Sequence, residues 1–96
     1  MGTKEAFVKR QHDEVRATLE ALKGHRDTAT ERLKQEPDDD ELRDLVVDTE
    51  EGIGILEPVL ADFEREGVDP EELVKYAQVI QDWQEREAEI AKKFER

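Results

Sequence analysis

Cysteine, serine and asparagine are missing altogether from this chain of 96 residues. Without cysteine there is no disulfide, no thiolate ligand for a metal and no thiol nucleophile. Without serine the serine-nucleophile mechanisms are closed as well. Hydrophobic residues make up 35% of the chain and aromatic residues 5%, which bounds it to one domain with one modest core. No apolar run approaches the roughly 18 residues of a membrane-spanning helix. With no basic, apolar, small-residue leader either, the expected setting is the cytoplasm, with no membrane contact.

Charge is what the chain has in abundance: 44% of residues are charged and the formal net charge is -12. Such a composition leans toward disorder, but the apolar residues recur with helical period, which argues for folding. Nucleic acid and anionic lipid are held by Lys and Arg surfaces, so neither is an expected direct partner. A partner recruited by charge would be a basic one. A surplus of Asp and Glu also simply keeps a helical protein soluble.

Proline and glycine, 3 and 5 in number, cut the chain into three helical stretches. Helix 1 is predicted over about residues 4–36, with Thr3 at its cap and Pro37 ending it. Its seam reads Val8, His12, Val15, Leu19, Leu22, Arg26, Ala29 and Leu33, a narrow stripe along a rod of roughly 50 Å. Gly24 falls on the outer face. Asp38 and Glu41 resemble a capping box that starts helix 2, predicted over about residues 39–66.

Leu42, Leu45, Val46, Thr49, Gly52, Ile53, Leu56, Val59, Leu60 and Phe63 give helix 2 a broad stripe, suited to two neighbours. Pro58 interrupts it, but the residue four before is Gly54, which eases the clash, so a kink near Pro58 is expected. The alternative is a break within residues 52–58 and a new helix starting on Pro58. The turn that follows is explicit: Gly67 for the left-handed position, Asp69 as cap, Pro70 as first residue, and Val68 with Leu73 as a staple. Helix 3 then runs over about residues 70–94, with its seam on Leu73, Tyr76, Ile80, Trp83, Glu87, Ile90 and Phe94.

Short turns between long helices predict an all-α, antiparallel three-helix bundle of coiled-coil type, formed as a single domain over residues 1–96. Matching levels by reflection about each turn pairs Leu19 with Leu56 and Ile80, Leu22 with Ile53 and Trp83, and His12 with Phe63 and Leu73. Trp83 comes level with Gly52 and Gly54, where missing side chains leave room for the indole. One layer is polar: Arg26, Thr49 and Glu87. There we expect an Arg26–Glu87 ion pair beside the Thr49 hydroxyl, acting to fix helix alignment.

No chemistry emerges from the remaining residues. Neither His12 nor His25 follows an acid at the spacing that carboxylate-bridged metal bundles use. His12 reads as a partly buried structural imidazole and His25 as exposed. The acidic run over residues 38–41 lacks the ligand spacing of a calcium loop, and Gly52 with Gly54 lacks the context of a phosphate loop. We therefore expect no catalytic residues, no cofactor, no metal and no enzymatic activity.

What remains is surface. Phe7, Val47, Ile55, Val74 and Val79 lie off the seams, and Ile55, Val59 and Val79 flank the contact between helices 2 and 3 as a candidate partner patch. Glu41, Asp44, Asp48 and Glu51 form an acidic stripe on helix 2. The function these features suggest is a small non-enzymatic protein–protein interaction module or assembly subunit, with self-association left open. The alternative is an acidic decoy or inhibitor, of viral or anti-defence type, that occupies the basic surface of a nucleic-acid-binding protein.

Overall fold

Helical period and scarce breakers do give helices throughout the computed structural model, which describes residues 3–94. Helix α1 spans Thr3–Gln35 and α2 spans Asp40–Glu64. The third stretch is α3 (Pro70–Leu73), a 3₁₀ turn (Val74–Tyr76) and α4 (Ala77–Phe94). Among the described residues there is no strand. The Thr3 side chain, expected as the first cap, lies outside the described residues.

The ends of the elements follow local chemistry. Glu36 N–H donates to the Arg32 carbonyl and Asp39 N–H to the Glu36 carbonyl, so the chain turns once more after Pro37 before α2 begins. That extra turn moves the cap one residue later than expected: Asp39, not Asp38, accepts the Leu42 N–H at 3.2 Å. Arg43 steadies the same turn by donating to the Pro37 carbonyl at 2.7 Å. At the second turn Gly67 takes φ +76°, a conformation that costs glycine little. Asp69 caps α3 through the Glu71 N–H at 3.0 Å.

Helix α2 continues through residues 52–58 with Pro58 inside it, so the break weighed as the alternative does not occur. The third stretch departs from expectation in the other direction, tightening to 3₁₀ at Val74–Tyr76. Such turns are common one turn into a helix, and side chains three apart eclipse there. This places buried Leu73 and half-buried Tyr76 on one side of the chain.

Ion pairs show how the elements lie against one another. His12 meets Glu64 and Lys23 meets Glu57 between α1 and α2; Lys4 meets Glu71 and His25 meets Glu87 between α1 and the third stretch. The principal extents are 52 × 22 × 15 Å and the radius of gyration is 15.4 Å. A compact chain of this length would have about 12–13 Å, so the molecule is a rod whose length is set by α1.

The core runs along the rod through Val15, Leu19, Leu22, Ala29, Leu42, Leu45, Ile53, Leu56, Val59, Ile80, Trp83 and Ile90. At its centre Trp83 is 3% exposed, and Gly52 makes this possible. A Cβ on Gly52 would stand 2.7 Å from the indole and 2.8 Å from Leu22. Gly54 plays no part in this fit, contrary to expectation. Two residues on along a helix is a rotation of about 200°, and Gly54 faces open space.

The three helical glycines therefore predict opposite outcomes for one substitution. Gly52→Ala overpacks the core and should destabilise by about 1–3 kcal/mol. Gly24→Ala, at a position with nothing within 4 Å, should stabilise by up to about 1 kcal/mol, and Gly54→Ala by less, since glycine there eases the turn crowded by Pro58. Urea unfolding followed by the fluorescence of the single tryptophan, Trp83, reads all three. Equal shifts of one sign would refute the packing account.

Candidate interaction surface

The polar residues expected in one layer part company. Thr49 is fully buried, and its hydroxyl donates to the Val46 carbonyl at 2.9 Å, satisfied within its own helix. Glu87 pairs with His25, not Arg26: His25 Nε2 lies 2.9 Å from Glu87 Oε2. Arg26 instead reaches its neighbour Asp27 at 3.2 Å. His25, expected to be exposed, is half-buried and stacked on Phe94, with centroids 5.3 Å apart.

The physical reason is rotation. Helix α1 serves two neighbours, and the residues one step before His12, Leu19, Arg26 and Leu33, together with the one a heptad earlier, turn toward the third stretch. Those residues are Lys4, Gln11, Thr18, His25 and Arg32, spaced every seven. Lys4 is hydrogen-bonded to Glu71, Gln11 and Thr18 are buried, and the Arg32 guanidinium lies 5.2 Å above the Phe94 ring. A polar line at heptad spacing beside an apolar seam was there to be read, but polar residues on a helix default to a solvated face. The Gln11 amide donates to Glu14 at 2.8 Å, while its Oε1 has no partner among the described residues.

At the end of the rod near the second turn, His12 stacks on Phe63 with rings 5° from parallel, and its Nε2 is 3.2 Å from Glu64. Phe63 also tilts against Tyr76, whose hydroxyl donates to Asp62. That bond holds the Tyr76 phenol above its ordinary value; burial and the Asp62 charge act in the same direction. Lys4 is likewise raised by its bond to Glu71, and Lys34 by its bond to Glu31.

Of the candidate apolar patch, Val59 is 5% exposed and belongs to the core, and Val79 packs against it. Ile55 alone of the three stays exposed, at 38%. The acidic stripe is a mixed surface. Glu41, Asp44 and Glu51 are exposed and Asp48 half-buried, while Glu51 reaches Arg86 of α4 at 3.9 Å. Asp48 shares an open trough of about 230 Å³ with Arg86, Glu89, Ile90 and Lys93. Val47, 61% exposed, stands in the same stretch of α2.

A second open trough, of about 670 Å³, lies where the start of α1 meets the 3₁₀ turn, lined by Lys4, Ala6, Phe7, Arg10 and Val74. Val74 is 43% exposed, and the Arg10 guanidinium sits 5.8 Å from the centre of the Phe7 ring. Among the described residues, no group of three or more His, Asp or Glu side chains is placed to hold a metal ion, and no helix is long and apolar enough to cross a membrane. No family model, no curated protein and no solved structure matches the chain.

Two tests follow from these contacts. In a double-mutant cycle, His25→Ala and Glu87→Ala should couple by about 0.5–1.5 kcal/mol, whereas Arg26→Ala and Glu87→Ala should add within about 0.5 kcal/mol; urea unfolding measures both. For Tyr76, the raised value means the bond's stabilisation is complete below the usual phenol value near 10 and is lost as pH climbs through the raised one. Tyr76 is the single tyrosine, so tyrosinate absorbance reports it directly. Its midpoint should fall toward the ordinary value in Asp62→Asn, and an unmoved midpoint would refute the assignment.

Proposed function

We propose that the chain is a single helical domain, an antiparallel bundle of coiled-coil type bent at Pro58, that works without catalysis in the cytoplasm as a protein–protein interaction module or assembly subunit. The ion pairs joining the helices support the antiparallel reading, and the missing N–H of Pro58 supports the bend. The observation that carries the function is the exposed side of α2. There Asp44, Asp48 and Glu51 alternate with Val47 and Ile55, which are 61% and 38% exposed. Apolar anchors within a charged surround are how interfaces are commonly built.

The net charge of -12 also supports the second reading, an acidic decoy that covers the basic surface of a nucleic-acid-binding protein. The two readings differ in what holds the partner. Cross-linking and co-purification from the native host, at about 0.15 M and about 1 M salt, should lose the partner at least tenfold with Ile55→Asp under the module reading. Under the decoy reading, high salt or Lys at positions 44, 48 and 51 should abolish capture while Ile55→Asp leaves it intact. A partner indifferent to every one of these changes would overturn both.

A further inference from the structure

The third stretch is joined to the hairpin of α1 and α2 in two unlike ways, one on each side of the 3₁₀ turn at Val74–Tyr76. Up to that turn it is tied at several points: Glu71 to Lys4, the Tyr76 hydroxyl to Asp62, the Tyr76 ring against Phe63, and Leu73 buried. Beyond it, α4 supplies three of the twelve residues of the described core, Ile80, Trp83 and Ile90, and α1 and α2 supply the rest. We propose that α4 is a strap: it pivots on the 3₁₀ turn and leaves the hairpin as one unit, while α1 and α2 stay paired.

The pivot lies where the helix type changes. A 3₁₀ segment within a helical run has poorer hydrogen-bond geometry than its neighbours, and such segments often mark hinges. Here it separates the tied piece from the strap. What α1 turns toward α4 is largely polar. The His25 and Glu87 side chains are each 23% exposed where they meet, and Arg32 rests over Phe94. Toward α2, Arg86 and Glu51 meet at 3.9 Å in the open. Contacts of this kind are exchanged for hydration at little cost.

Trp83 makes the motion all or none. Its seat has no slack, since a Cβ on Gly52 would stand 2.7 Å from the ring, so the indole cannot slide along α2 and keep its contact. It is seated or out. Once it is out, Ile80 and Ile90 alone remain to hold a helix of 18 residues. An isolated helix of that length is marginal in water, so a released α4 loses the protection of its amides. The hairpin has its own ties: the Arg43 bond to the Pro37 carbonyl at the first turn, the pairs His12–Glu64 and Lys23–Glu57, and the aliphatic seam of α1 and α2. Opening bares Leu22 and the Gly52 seat, an apolar strip that the closed strap hides.

The test is hydrogen exchange of the full chain, read amide by amide by NMR in urea below the unfolding transition. Amides of residues 80–90 should share one opening reaction, at least about tenfold more frequent than the one that exposes residues 15–29 and 45–56. Its urea slope should be above zero and below that of global unfolding, because part of the buried surface is exposed.

One substitution at two glycines separates the strap from the whole. Gly52→Ala intrudes on the indole and should speed exchange at 80–90 by at least about fivefold. Gly24→Ala, in open space on α1, should slow exchange at 15–29 and 45–56 and leave 80–90 unchanged, because α1 stays helical when the strap is open. A single opening reaction shared by all three segments overturns the proposal. So does exchange at 80–90 with no urea dependence, which is fraying, a Gly52→Ala chain whose 80–90 amides do not respond, or a Gly24→Ala effect that extends to them.

Discussion

Trp83 is the largest side chain the core must hold, and it fits only because α2 carries nothing at position 52. The indole and Leu22 approach the place where a Cβ would sit to within 3 Å, so three elements meet at one point with no slack. Packed interiors do not yield continuously to added volume, and the separation of the helices at mid-rod is therefore fixed by this fit. An open trough lined by Asp48, Arg86, Glu89, Ile90 and Lys93 lies on the same side of the rod. The Arg86 guanidinium then covers the outer face of the same indole at 4.2 Å, joining core and surface through one residue.

Around that point the two sides of α1 do different work. Toward α2 the contact is mainly aliphatic, and burial of Val15, Leu19 and Leu22 supplies attraction with little directional preference. Toward the third stretch the contacts are polar and directional: Lys4 with Glu71, His25 with Glu87, Arg32 over Phe94. Groups open or half open to water contribute little net stability, because water solvates them when they are unpaired. Apolar packing therefore does most to hold the helices together.

The outside reflects the same economy of apolar residues. With 35% hydrophobic residues the chain has few to leave on its surface, so the position of each exposed one carries information. Val47 and Ile55 stand on α2 among Asp44, Asp48 and Glu51 with Arg43 and Arg86 close by, and Val74 stands beside Lys4 and its partner Glu71. Complementary potentials choose partners and orientation more than they supply affinity.

The covalent chain alone determined much that depends on near neighbours in sequence, though not the cap on Asp39 or the 3₁₀ turn at Val74–Tyr76. Gly67, Asp69 and Pro70 dictate the second turn because a left-handed backbone, a cap and a fixed φ are properties of single residues. The apolar spacing dictates the helices and most of the core, down to Gly52 standing level with Trp83. Tertiary structure decided what depends on rotation and depth. It chose His25 over Arg26 as the partner of Glu87, and Gly52 over Gly54 as the seat of the indole. It also drew Val59 into the core and left Ile55 outside. One residue along a helix is a turn of about 100°, so adjacent positions that look equivalent in a pattern face different neighbours. Only the packing of the three helices settles which of them meets a partner.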